Sequence, residues 1–248
     1  MRTGLVTKLD HVAIGMPRIA DATGFLVGRL GGRPESGGPS GEFRWACWRF
    51  DGGGRIEVIE PAGADGFVHR FLAARGPGIH HVTFKVSSLA DAAGRAEAQG
   101  YRLVGRDESD PDWLVAYLHP KEAQGIVVQL GQSDGSSGRR PWEVPPGPDE
   151  PPAAARVLGL RTRARSVERA RVQWERALGG TLAHATAEEL VFRWPGSPMR
   201  IVTEIQPDAE EGPLAIELAP DPPPPALPPG PVPPLGTVFL VDQRSPER

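Results

Sequence analysis

The chain predicts an α+β fold built from repeated βαβββ modules, the first pair complete and the second eroded. Three observations carry that prediction. The strand-then-helix pattern that opens at KLDHVAIGM returns at IHHVTFKV, the helices close on glycine, and a proline-rich stretch separates a weaker second pair.

KLDHVAIGM alternates like a strand, and RIADATGFLVGRLGG follows with Ala22, Phe25, Leu26 and Leu30 on one helical stripe and paired glycines at its end. FRWACWRF and RIEVIEP are strands joined by the turn signal DGGG, with a short strand expected near Arg33 to Glu35. The second module repeats the order. IHHVTFKV leads to the helix SSLADAAGRAEAQG, with Ser87 or Ser88 as its N-cap, and then to YRLVGRD, WLVAYLHP and GIVVQLG. In the third, RVLGLRTRA and SVERARVQWERALGG give strand and helix, and ELVFRWPG and MRIVTEI continue it. The fourth keeps GPLAIELAP and GTVFLVD but replaces its helix with DPPPPALPPGPVPP, which proline forbids from being α-helical. The expected organisation is a double module over 5–133, a proline-rich linker over 134–152 and a degenerate unit over 153–242.

Composition narrows the function. A net charge of -3 and a pI near 6.1 give no basic footprint, so nucleic acid is not the expected partner. The single cysteine, Cys47, excludes an intramolecular disulfide and a thiolate zinc cluster, and reads as a small buried side chain. MRTGLVTKLDHV has no apolar signal core and no window is long enough for a membrane span, so the expectation is a cytoplasmic protein with a small-molecule partner.

Two adjacent histidines open the strand IHHVTFKV, and successive strand residues face opposite ways, so His80 and His81 cannot share a task. Aligning the first two modules sets His11 over His81 and Glu57 over Gln129, with spacings of 46 and 48 residues within the pairs. Glu57 shares a strand face with Ile59, and Gln129 with Val127. If the modules pair about a local twofold axis, His11, Glu57, His81 and Gln129 converge. Two imidazoles, a carboxylate and an amide oxygen suit nickel, cobalt, zinc, iron(II) or manganese, with open positions for water or substrate.

LDHVAI, RIEVIEP, GIHHVTF and LHPKEAQGIVVQL resemble the vicinal oxygen chelate superfamily (glyoxalase, bleomycin resistance and dioxygenase proteins), most of all its methylmalonyl-CoA epimerases. The resemblance spans residues 8 to 131 and implies paired modules forming an open barrel around one metal. Epimerase ligands run His, Gln, His, Glu in chain order; this chain offers His11, Glu57, His81 and Gln129, with amide and carboxylate exchanged. It also implies that His81 points inward while His80 packs.

The resemblance implies two glutamates as the acid and base of epimerisation, at positions occupied here by Gln129 and Trp45. An amide has no useful proton affinity and an indole only donates, which argues against a two-base epimerase and leaves Glu57 as the candidate catalytic carboxylate. Trp45, Trp113 and Lys121 are the candidate substrate-binding residues, Lys121 through an anionic group such as a thioester's phosphates. Trp45 and Trp48 face opposite ways, so one lines the cleft and the other is core. His69 is expected on a helix surface. In the second pair of modules Leu160, Val202 and a position near Ala215 stand where His11, Glu57 and His81 would be, so the second unit is expected to bind no metal, and either to stand in for a dimer partner or to add a homodimer surface. The expected function is a metal-dependent isomerase or lyase acting on a CoA thioester or hydroxy-carbonyl compound through a metal-stabilised, enolate-like anion. The rival is a binding protein that sequesters a metabolite or drug in the same cleft.

Overall fold

A computed structural model describes residues 6–133 and 147–242; part of the expected linker, 134–146, lies outside the described residues. Among the described residues, fourteen strands form two mixed sheets, accompanied by four α-helices. In the first module β1 (Val6–Gly15) is followed by a 3-10 turn and the short helix α1 (Thr23–Leu26), then β2 (Arg33–Ser40), β3 (Phe43–Arg49) and β4 (Arg55–Pro61). The helix is shorter than its apolar stripe suggested, and Gly31, at φ 66°, turns the chain out. Helix α2 (Phe67–Arg75) leads to the second module: β5 (Gly78–Val86), α3 (Leu89–Glu97), β6 (Leu103–Asp107), β7 (Leu114–Leu118) and β8 (Val127–Gln132). Ser88 caps α3 by accepting from the Asp91 amide. These eight strands lie in the order β2-β3-β4-β1-β5-β8-β7-β6, with β1 parallel to β4 and β5 parallel to β8, so each module contributes four neighbouring strands and the two first strands meet.

The second sheet, β10-β11-β12-β9-β13-β14, repeats the order without its last edge. It comprises β9 (Val157–Ala164), β10 (Thr181–Ala185), β11 (Glu189–Arg193), β12 (Arg200–Ile205), β13 (Gly212–Leu218) and the remnant β14 (Phe239–Val241). Helix α4 (Val167–Arg171) passes into a π-helical stretch, Val172–Ala177. The segment between β13 and β14 is not helical, as its prolines require.

Contacts group the chain into two units, neither continuous in sequence. One gathers the chain through His11, the second module from His81, and Leu160–Leu214. Its core stacks Phe84 of β5 against Trp194 at 4.8 Å and Trp174 at 6.3 Å between ring centroids, all three rings fully buried. Polar bonds pin the same faces: Gln173 donates to the Ala123 carbonyl, Gln124 to that of Arg169, and the Ser197 hydroxyl to that of Leu9. The other unit gathers Val12–His80, the chain entering β9 as far as Gly159, and the segment from Ala215. There Phe25 meets Phe239 at 4.9 Å, and the amides of Ala155 and Gly54 donate to the carbonyls of Leu30 and Val157. The third module therefore shares a core with the second, and the fourth with the first.

One sequence alignment is corrected. Arg161 of β9 bonds both Glu189 and Glu204, which are register partners on the Val202 face, while Thr162 bonds Thr203 on the other face. Alternation then puts fully buried Leu160 with Thr162, away from Val202. Leu160 is not the counterpart of His11 on the ligand side; the guanidinium of Arg161 lies on that side, held by two carboxylates.

Candidate metal centre and cleft

Strand parity decides which side chains share the ligand face. Ala13 is the register partner of Glu57, so His11, two residues before Ala13, lies on the Glu57 face. Thr83 is the partner of Gln129, so His81 lies on the Gln129 face. The other face of these strands, Val12, Ile14, Ile56, Val58, Val82, Phe84, Val128 and Leu130, is buried to 0% exposure. That contrast fixes the register, because a one-residue slip would drive the polar set into the apolar core and turn the apolar set onto the polar face.

His11, Glu57 and His81 each bring one ligand atom within 4.8 Å of the others, and all three are buried. The two imidazole rings meet edge-on at 5.9 Å between centroids. Two neutral nitrogen donors and one carboxylate form the donor set of a borderline divalent ion, and the residues fit the group expected from the sequence. Gln129 is on the same face and buried, with its amide oxygen accepting from Thr83 Oγ1 at 2.6 Å and its nitrogen donating to Tyr117 at 3.1 Å. Those bonds orient the amide and leave its oxygen a second lone pair.

Sequence reasoning missed Asp10. Its carboxylate stands 3.0 Å from His11 Nδ1 and 2.6 Å from Lys8 Nζ. Burial alone would raise the Asp10 carboxyl, but the hydrogen bond and charge of His11, with Lys8 behind, hold it far below the usual carboxylate range. An acceptor at Nδ1 fixes the proton there and turns Nε2 toward the cluster, the usual partnership of a ligating histidine. The dipeptide Asp10-His11 was the available signal, although the Cβ atoms of strand neighbours point to opposite faces. His80, by contrast, packs as expected against Phe71 at 4.8 Å and Phe67 at 5.3 Å.

The aromatic residues divide as parity requires. Trp48 is fully buried on the core face. Trp45 is half-buried and pairs with Ile59, placing it on the Glu57 face, and Cys47 is the direct partner of Glu57. Trp113, just before β7, lies over Gly131, where a Cβ would come within 2.8 Å of the indole. Lys121 is exposed and lines a separate cavity of about 390 Å³ with Tyr101, Glu122, Glu168 and Arg169. Burial first of all pushes the Tyr101 hydroxyl there up to about 12. His69 lies on helix α2 and bonds the Gly63 carbonyl, away from the cluster. No helix among the described residues is long and apolar enough to cross a membrane.

Comparison with known proteins agrees with this geometry. Residues 10–117 match the family model of the glyoxalase/bleomycin resistance protein/dioxygenase superfamily. An ethylmalonyl-CoA/methylmalonyl-CoA epimerase of Cereibacter sphaeroides is 29% identical over 135 residues, covering 52% of this chain and 99% of that protein. An uncharacterized protein of Bacillus subtilis, YqjC, is 29% identical over 133 residues, covering 52% of this chain and 95% of its own length. A variant of 4-hydroxymandelate synthase from Streptomyces coelicolor shares the fold over 87% of this chain and 71% of its own, with TM-score 0.58 at 13% identity. Over residues 10–117, the chain is thus similar to proteins of the glyoxalase/bleomycin resistance protein/dioxygenase superfamily.

Proposed function

We propose that this protein is a divalent-metal-dependent enzyme acting on a small oxygenated substrate, a CoA thioester or a related hydroxy-carbonyl compound. The observation that carries the reading is the meeting of His11, Glu57 and His81 from three strands on one polar face. Residues 5–133 would hold the metal, and 153–242 would support them structurally. Resemblance to epimerases of CoA esters supports the thioester class.

His11, Glu57, His81 and Gln129 would hold the ion. When bound, a divalent metal supplies Lewis acidity toward carbonyl or carboxylate oxygens. The chain's own residues do the rest. Asp10 keeps the His11 proton on Nδ1, and Thr83 and Tyr117 present the Gln129 oxygen. Trp45 shares the Glu57 face and would wall the cleft there, with Trp113 along the β8 side. Proton movement falls to Glu57, because neither Trp45 nor Gln129 can accept a proton at neutral pH. One carboxylate serves abstraction and return on a single face of the substrate, which fits isomerisation or exchange better than two-base inversion.

Elemental analysis of protein purified without added metal tests the metal centre. About one equivalent of a transition metal, lost in Glu57→Ala and His81→Ala, is the expected result. Metal-free protein indifferent to nickel and cobalt would refute the enzyme and favour a sequestering protein. Incubation with methylmalonyl-CoA in deuterated water separates the chemistries: exchange without inversion fits a single base, and efficient inversion contradicts it.

A further inference from the structure

The cavity of about 390 Å³ beside Lys121 has walls from two modules. Tyr101 follows α3, Lys121 and Glu122 lie between β7 and β8, Glu168 and Arg169 belong to α4, and Val172 opens the π-helical stretch. All six fall within the unit that joins the second module to Leu160–Leu214. None of the metal-centre residues is among the described residues that line it.

The acids around this cavity are engaged. Glu122 accepts from the Arg102 amide at 2.8 Å and from its Nε at 3.2 Å. Glu168 accepts from both terminal nitrogens of Arg176, at 2.7 and 3.0 Å. Glu211 accepts from Nε and Nη2 of Arg169, at 2.8 and 2.6 Å. The donors are not engaged. Among the described residues nothing accepts from the Lys121 ammonium, from Arg169 Nη1 or from the Tyr101 hydroxyl. Tyr101 is only 8% exposed, and a hydroxyl so placed is destabilising until water or a ligand bonds it. Burial also keeps that hydroxyl protonated at neutral pH, so it stays a donor.

We propose that this cavity is a second binding site, for a small organic monocarboxylate bonded by Lys121, Tyr101 and Arg169. Each acid of the group faces an arginine, which leaves the Lys121 ammonium as the charge without a counterpart there. One such ammonium matches one negative charge, whereas a phosphate dianion would bring a second charge up to Glu122, Glu168 and Glu211. Val172 and the Tyr101 ring offer an apolar seat for the body of the ligand, and the volume lies at the small end of ligand cavities. The bound anion joins α4 to the segments on either side of the second module's last hairpin. This site is independent of the metal centre and of the chemistry proposed for it.

The test titrates the full chain with benzoate and hexanoate, and with benzamide and hexanamide, by calorimetry. Prior treatment with EDTA removes any metal that could itself hold a carboxylate. At least one acid should bind roughly tenfold more tightly than its amide, the worth of a hydrogen bond to a charged group. Lys121→Met should lower that affinity by roughly tenfold, and Tyr101→Phe by roughly fivefold. Neither substitution removes an internal bond, so circular dichroism and urea midpoints should stay as in wild type. Acids that bind no more tightly than their amides, or not at all, overturn the proposal. So does affinity unchanged in Lys121→Met or Tyr101→Phe, or inorganic phosphate bound more tightly than either acid.

Discussion

Replacing Asp10 should weaken metal binding although Asp10 touches no metal. Its carboxylate bonds His11 Nδ1 at 3.0 Å and Lys8 at 2.6 Å, with 7% of its side chain exposed. Asp10→Ala removes the acceptor that fixes the His11 tautomer and ring angle. Loss of such a partner typically costs about 10–100-fold in metal affinity, or roughly 1.4–2.7 kcal/mol. Asp10→Asn keeps a neutral acceptor and should fall between. The metal-free protein should also lose about 1.5–3 kcal/mol, the range for a hydrogen bond to a charged group, at the lower end because Lys8 is a third exposed and can return to water. The Asp10 carboxyl is depressed on folding, so its contribution is present above the ordinary carboxylate range and lost as pH falls through the lower native value. Cobalt titration by calorimetry gives the affinity, and urea unfolding without metal gives the stability. Folded Asp10→Ala protein that binds cobalt within twofold of wild type would refute the orienting role.

Other expectations concern the cluster, the core and pH. Glu57→Gln should keep the fold and lower cobalt affinity by more than Asp10→Ala, since it removes a charged ligand; equal affinity to wild type would place the ion elsewhere. Phe84→Ala should cost about 3–5 kcal/mol in urea unfolding, because Phe84 is fully buried between Trp174 and Trp194. Gly125→Ala should also destabilise, since φ is 76° there and a Cβ would collide with the Glu211 carbonyl; unchanged stability would show that this backbone contact yields. Burial would raise the Glu211 carboxyl, but Arg169 and the Arg165 amide hold it below its usual value. Its stabilisation is therefore present above about pH 4.5 and lost on acidification, and Glu211→Gln should flatten that limb of the stability profile.

Much of the site was legible because β-structure has a period of two. Once the repeat aligned His11 with His81 and Glu57 with Gln129, alternation alone put each pair on one face, and the structure brings His11, Glu57 and His81 together. The same parity put Trp45 and Trp48, and His80 and His81, on opposite faces, while which of each pair faces the ligands took the family resemblance for His81 and the structure for Trp45. It failed at Leu160, because repeat matching by sequence tolerates a one-residue error that a strand does not. Asp10 was illegible for a related reason: alternation describes where Cβ points, not where a flexible carboxylate ends.

By itself the sequence determined the repeated modules, the polar set on alternating positions and the erosion of the second pair, because local periodicity and proline chemistry are written residue by residue. Only the tertiary structure decided that the third module shares a core with the second and the fourth with the first, and that Lys121 lines a separate cavity with Tyr101. Those outcomes depend on the register between strands and on which faces exclude water together. Both are set by packing across long sequence separations, which no local pattern encodes.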